Sequence, residues 1–111
     1  MPESPSHRNR KRRAAGGLGI TEYTLPSGKK LDAMSVTGIA TEIERGAPAQ
    51  IRKAVRRLKE SLNSGDARKV RLRVRESNLD VAYGEMRRQR VGGELTNLGG
   101  TTKINVSKRR K

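Results

Sequence analysis

Short runs in which apolar and polar residues alternate predict three strands in the first half of the chain. Residues 21–35 are typical of a hairpin, with strands at 22–25 and 30–35 joined by a Pro-Ser-Gly turn. The run at 39–45 follows another turn and alternates Ile39, Thr41 and Ile43 with Ala40, Glu42 and Glu44. This period of two predicts a third strand.

Two helices are predicted in the second half, where apolar residues recur at helical spacing. Gly46 and Pro48 mark the start of the first helix, and Asn-Ser-Gly at 63–65 ends it. Its apolar positions are Ile51, Ala54, Val55, Leu58 and Leu62. Ser77 or Asn78 caps a second helix that extends to Arg88.

A strand between the helices and a terminal hairpin complete the predicted fold. Val70, Leu72 and Val74 alternate with arginines, and a Gly-Gly turn joins strands at 94–98 and 102–106. Strands that alternate with helices imply an α/β fold, here a small mixed β-sheet flanked by helices. We assign residues 18–107 to this single domain. Residues 1–17 form a basic, flexible arm with a short helix within 8–15, and residues 108–111 form a basic tail.

The positive charge of the chain indicates a polyanionic partner. The formal net charge is +15, and the excess is not confined to the two ends of the chain. Clustered cations neutralise phosphates and release counterions, so nucleic acid is the expected partner, with DNA favoured over RNA. An anionic membrane is the alternative, but there is no amphipathic basic helix with large apolar anchors. No long apolar run or signal peptide is present, so we expect a cytoplasmic protein without a membrane partner.

Composition also limits the chemistry that is open to this chain. Cysteine is absent, which excludes thiolate chemistry and thiolate metal sites. The one histidine is His7 in the predicted arm, so a histidine triad or a histidine-containing zinc site is not expected. The only aromatic residues are Tyr23 and Tyr83, so recognition by base stacking is not expected. Catalysis would have to use carboxylates, lysine, arginine or hydroxyl groups.

Three acidic residues on neighbouring predicted strands are the candidate catalytic and metal-binding group. Glu42 and Glu44 are two apart and therefore share one face of their strand, and Asp32 can approach that face if the two strands pair. Carboxylate oxygens of this kind suit Mg²⁺ or Mn²⁺. The alternative is a solvated strand face in which the glutamates pair with Arg45 or Arg71.

The stretch KKLDAMSVTGIATEIERGAPAQIRKAVRRLKESL, residues 29–62, resembles the core of the PD-(D/E)XK, or restriction-endonuclease-like, nuclease superfamily. Asp32 matches the superfamily's Asp, and Glu42 matches the first Glu of its second motif, ahead of a helix at 50–62 and a strand at 69–75. Glu44 replaces the usual Lys, as in an E-x-E variant, and Lys29 or Lys30 could supply a migrated ammonium group. The resemblance implies a restriction-endonuclease-like core, Mg²⁺-dependent phosphodiester cleavage of the small resolvase or nuclease-toxin type, and a homodimer.

Basic residues on the same elements are candidates for contact with nucleic acid. Arg71, Arg73 and Arg75 share one face of their predicted strand, which suits a phosphate track or, alternatively, an edge protected from aggregation by charge. The first helix is densely basic as well, with Arg52, Lys53, Arg56, Arg57 and Lys59. The residues we select as candidates are Lys29, Lys30, Arg45, Arg52, Arg56, Arg71, Arg73 and Arg75.

Two functions from different classes fit these observations. The first is a metal-dependent endonuclease that uses Asp32, Glu42 and Glu44. The second is a basic protein without catalytic activity that binds nucleic acid, such as a ribosome-associated, chromatin-like or virion protein. A regulator that binds an acidic protein is a third possibility. A metal-dependent change in a nucleic-acid substrate separates the first from the others.

Overall fold

One six-stranded sheet and two helices make up the fold in the computed structural model of the chain, which describes residues 19–107. The strands are Ile20–Thr24 (β1), Lys30–Met34 (β2), Ile39–Glu44 (β3), Lys69–Val74 (β4), Gly93–Asn97 (β5) and Lys103–Val106 (β6). The helices are Pro48–Asn63 (α1) and Leu79–Arg88 (α2), and a 3-10 turn at Glu76–Asn78 leads into α2.

The predicted α/β class with a mixed sheet is confirmed, and each element predicted between residues 22 and 106 is present with ends shifted by a few residues. Among the described residues, no helix combines the length and apolar composition needed to cross a bilayer. The predicted arm at 1–17, its short helix within 8–15 and the tail at 108–111 lie outside the described residues.

The strands follow their chain order across the sheet, from β1 at one edge to β6 at the other. β3, β4 and β5 are parallel, whereas β1, β2 and β6 join through antiparallel pairings. The parallel connections run through α1 and α2 and move across the sheet in the same direction. Because such crossovers are right-handed, both helices belong on one face, and α1 does pack against α2 as well as against β3 and β4.

Aliphatic side chains between the sheet and the two helices form the core. From α1 the fully buried residues include Ile51, Val55 and Leu58, which recur at the predicted helical spacing. From β4 the residues Val70, Leu72 and Val74 are all buried, as the alternation predicts. Helix α1 therefore lies directly above the middle of the sheet, with its basic residues around the margin of the covered surface.

A close approach of backbones requires a glycine at the first residue of β5. A Cβ atom at Gly93 would lie 2.6 Å from the Val70 carbonyl oxygen and 2.7 Å from the Val70 Cγ2 atom. We expect Gly93→Ala to lower the free energy of unfolding by about 1–3 kcal/mol, because the β4–β5 pairing has to shift. Urea unfolding measures this loss. Gly99→Ala is the control, since no atom lies within 4 Å of its added Cβ, and equal losses for both variants would contradict the prediction.

Candidate functional site

Two carboxylates occupy a gap between β2 and β3. The recorded pairing of these strands comprises only Ala33 with Thr41 and Met34 with Ala40. Beyond these pairs the Asp32 N–H donates to Glu42 Oε1 at 2.9 Å, and the Ile43 N–H donates to Asp32 Oδ2 at 2.7 Å. Each carboxylate thus takes the place that a backbone carbonyl holds in a continuous ladder, and the predicted approach of Asp32 to Glu42 is observed.

The strand register directs Glu42 towards helix α1. Glu42 is paired with Leu72 across β3 and β4, so its side chain lies on the face that the helices cover, and the residue is only 3% exposed. A carboxylate at such a place needs a partner. Arg57 of α1 provides one, with its Nη1 atom 3.3 Å from Glu42 Oε2.

The surroundings of Glu42 change its affinity for protons. Burial and, secondly, the neighbouring charge of Asp32 raise the pKa of Glu42 to about 8, while the Asp32 N–H and Arg57 offset this rise only in part. Glu42 therefore holds a proton more tightly than an ordinary glutamate does. Strongly shifted carboxyl groups of this kind are concentrated at functional sites, where they transfer protons or bind cations.

The third predicted carboxylate has a hydrogen-bond partner of its own. Glu44 Oε2 accepts a hydrogen bond of 2.8 Å from the Gly46 N–H, in the connection that leads into α1. Across residues 19–107, no group of three or more His, Asp or Glu residues is arranged to hold a metal ion. The observed group is thus a pair of carboxylates, and Mg²⁺ is commonly held by one or two carboxylates together with water and substrate phosphates.

A pocket lined entirely by basic residues adjoins the acidic pair. Its volume is about 270 Å³, and its lining consists of Lys29, Lys53, Arg56 and Arg57, which we call the cationic pocket. Arg56 and Arg57 follow Lys53 by three and four positions, so both are its neighbours on the helix surface. Arg57 belongs to both features, since the same guanidinium contacts Glu42. Within the described part of the chain, Lys29, Lys53 and Arg56 have no acidic partner.

The fourth wall of the cationic pocket comes from the turn between β1 and β2. Ser27 donates from its N–H and its Oγ to the Glu60 carboxylate of α1, at 3.0 and 2.8 Å. Gly28 adopts φ +90°, a left-handed conformation that closes the turn and favours glycine. Together these features hold the turn against α1 and bring Lys29 to the cationic pocket.

The other predicted contact residues are dispersed over the fold. Arg71 lies on the sheet face opposite α1 and α2, where its Nε atom is 2.7 Å from Glu94 Oε1, so its charge is balanced. Arg73 is half-buried on that same face. Arg52 lies 3.8 Å from Glu85, whereas Lys30 and Arg75 are exposed and Arg45 is half-buried.

From α1, the sequence selects Arg52 and Arg56, whereas the structure groups Lys53 and Arg57 with Arg56 around the cationic pocket. The dense basic pattern of the helix includes all four residues, but it does not distinguish which side meets the acidic pair. That distinction depends on how α1 is rotated over the sheet.

No protein-family model matches this chain, and no curated protein and no solved structure matches it either. The residues of the site and their chemistry are therefore the guide to function. The site offers two carboxylates in a strand gap, a guanidinium that contacts one of them, and a basic pocket beside them.

Proposed function

We propose that the protein is an endonuclease that binds nucleic acid, with DNA favoured, and hydrolyses its phosphodiester bonds with the help of a divalent metal ion. One observation carries this proposal: the carboxylates of Asp32 and Glu42 meet in the β2–β3 gap, and Arg57 links Glu42 to the cationic pocket. Such a site can bind a hard cation and a phosphate side by side, which is what metal-assisted hydrolysis of a phosphodiester requires.

The order of elements around the acidic pair supports a restriction-endonuclease-like core. Asp32 lies on one strand and Glu42 on the next, and α1 and the parallel strand β4 follow, which is the order expected of the superfamily. Glu44 stands where the superfamily has Lys. We assign to Lys29 the ammonium group that this Lys supplies in the superfamily, because Lys29 lines the cationic pocket beside Arg57.

In the proposed reaction, each group has a chemical role that follows from its contacts. Asp32 and Glu42 would hold Mg²⁺ or Mn²⁺, which would polarise a phosphoryl oxygen and lower the pKa of an attacking water. Arg57 and its basic neighbours bind phosphate oxygens through charge-assisted hydrogen bonds. Water adds to phosphorus as the bond to the leaving oxygen breaks, and a proton from that water ends on the leaving oxygen, which gives a phosphate monoester and a hydroxyl group. The net charge of +15 favours retention of the polyanion.

A second candidate function is a nucleic-acid-binding protein without catalytic activity. It is favoured by the contact between Arg57 and Glu42 Oε2 and by the bond that directs Glu44 to Gly46, since both hydrogen bonds occupy carboxylate oxygens that could otherwise meet a metal ion. In this reading, the Arg57–Glu42 pair stabilises the fold and the basic surface alone binds the phosphate backbone.

The experiment that tests the proposal is incubation of the full chain with duplex, branched and single-stranded DNA and RNA. Each substrate is incubated with Mg²⁺, with Mn²⁺ or with EDTA, and the products are separated by denaturing electrophoresis. Cleavage that needs the metal ion and stops with EDTA supports the endonuclease. Retardation of the same substrates in native gels without cleavage under any condition leaves only the binding protein.

The salt dependence of binding identifies which cations contact phosphate. We expect Lys53→Gln and Arg56→Gln each to reduce the slope of log K against log salt by about 0.9 on duplex DNA, because each removes one phosphate contact. Fluorescence anisotropy over a range of KCl concentrations measures the slopes. Arg88→Gln is the matched control, because Arg88 is already paired with Glu85 on α2. Equal slopes for all three variants would show that the cationic pocket does not bind the backbone.

A further inference from the structure

Arg57 is one of the four residues that line the cationic pocket, and it also contacts Glu42 of the acidic pair. We propose that the cationic pocket binds a single phosphate group, which draws Arg57 away from Glu42, so that phosphate and a divalent cation bind the site cooperatively. The inference rests on the proposed function in taking this phosphate to be one of the nucleic-acid backbone.

The charges that surround the cationic pocket favour an anion. Four cationic side chains line it, and three of them have no acidic partner among residues 19–107. Like charges at helical spacing repel one another, and an anion between them removes that repulsion. At ~30 Å³ per liquid water, the volume of about 270 Å³ accommodates a phosphate group with part of its hydration shell.

Arg57 can exchange its partner because its contact with Glu42 uses only part of the guanidinium. Its side chain is 32% exposed, and the recorded bond joins one nitrogen, Nη1, to one carboxylate oxygen at 3.3 Å. A guanidinium carries five N–H donors in a planar fork, which matches two phosphate oxygens at once. A phosphate in the cationic pocket can therefore accept two hydrogen bonds from Arg57, where the contact with Glu42 uses one.

The hairpin turn contributes to the same site from the opposite side. Lys29 reaches the cationic pocket because the Ser27 N–H and hydroxyl both bind the Glu60 carboxylate. Glu60 is therefore a positioning residue: it does not line the cationic pocket, but it fixes the turn that carries Lys29.

Competition for Arg57 couples the two ligand sites. When phosphate binds Arg57, Glu42 Oε2 loses its cationic partner and becomes available to a metal ion held with Asp32. By thermodynamic linkage, the metal ion must strengthen phosphate binding by the same factor. A substrate phosphate thus helps to form the metal-binding site at Asp32 and Glu42.

The test is titration of the full chain with inorganic phosphate by calorimetry, in metal-stripped buffer of low ionic strength at pH 8.5. We expect Lys53→Gln and Arg56→Gln each to weaken phosphate binding about fivefold, as for partly exposed ion pairs. Lys59→Gln is the matched control, because Lys59 is on α1 but does not line the cationic pocket, and it should leave the affinity unchanged. Equal effects of all three variants, or no binding by the native chain, would overturn the proposal.

The same titration of Glu42→Gln tests the exchange of Arg57 directly, because this variant removes the charge that competes with phosphate for Arg57. We expect this variant to bind inorganic phosphate about fivefold more tightly than the native chain, by the same ion-pair magnitude. Unchanged or weaker binding in Glu42→Gln would exclude the exchange of Arg57. In the native chain, saturating phosphate should tighten Mn²⁺ binding, measured by electron paramagnetic resonance, and an unchanged Mn²⁺ affinity would exclude the coupling.

A thymidine hexanucleotide should displace inorganic phosphate from the cationic pocket, and failure to displace it would overturn the assignment to the nucleic-acid backbone. The outcomes also separate this inference from the proposed function. Phosphate binding that follows the expected pattern, together with no cleavage of any substrate, rejects the endonuclease and retains the phosphate site. Cleavage without binding of inorganic phosphate does the opposite.

Discussion

Glu42→Gln is expected to lower the rate of phosphodiester cleavage by about 10³-fold, the magnitude typical of losing a charged group that stabilises a transition state. The amide retains the acceptor for the Asp32 N–H, so the strand gap keeps its shape, but it removes the negative charge that a divalent cation needs. Single-turnover cleavage with saturating enzyme measures the rate. Affinity for the uncleaved substrate should not fall, because the basic residues are untouched.

Two further variants make this prediction specific. Asp80→Asn is the control and should cleave at the native rate, since Asp80 is exposed in the first turn of α2. Glu44→Gln tests whether the metal site has two carboxylates or three. Its amide oxygen can still accept the hydrogen bond from the Gly46 N–H, so we expect a much smaller loss of cleavage rate than for Glu42→Gln. A loss as large as that of Glu42→Gln would restore the three-carboxylate group that the sequence predicts. Cleavage by Glu42→Gln at the native rate would exclude the site altogether.

The same substitution should make the protein more stable in alkaline solution. Glu42 has a pKa of about 8 in the folded chain and an ordinary value of 4.5, so the folded state binds the proton more tightly than the unfolded state does. Stability from this group is complete below pH 4.5, falls as the pH rises towards 8 and is lost above that value. At ~1.4 kcal/mol per pKa unit, the loss across this range is on the order of 5 kcal/mol.

Glu42→Gln has no carboxyl group at this position to ionise and should avoid that loss. Urea unfolding of both proteins at intervals from pH 5 to pH 9, in metal-stripped buffer, measures the difference. We expect similar free energies of unfolding near pH 5 and an advantage for Glu42→Gln that grows as the pH rises and levels off above about pH 8. A difference that stays constant over the whole range would mean that burial does not raise the pKa of Glu42. Greater stability with less activity is the usual signature of a charged group retained for function.

The acidic pair was within reach of sequence reasoning, whereas the position of Glu44 was not. Asp32 and Glu42 lie on consecutive strands separated by a short turn, so an antiparallel pairing has to bring them close together. Glu44 shares the strand face of Glu42, as a period of two requires. Its side chain, however, is long enough to bind the nearby Gly46 N–H, and no pattern of residue types foretells that local hydrogen bond.

The arginines of β4 show a similar division. Their alternation with Val70, Leu72 and Val74 is visible in the sequence, and it correctly identifies which side of the strand is buried against the helices. The partner of Arg71 is not visible, because Glu94 follows it by more than twenty residues and becomes its neighbour only through the β4–β5 register. The charge on that face is therefore balanced in part by a pairing between residues distant in sequence.

The elements, the mixed sheet and the basic character of the chain follow from periodicity, turn residues and charge, which act over short distances or over the whole composition. Which charges meet depends on the packing of helix against sheet. The rotation of α1 brings Arg57 to Glu42, and the Ser27–Glu60 contact brings Lys29 to the cationic pocket. Long side chains choose partners by distance in space, and those distances are set only when helix and sheet pack together.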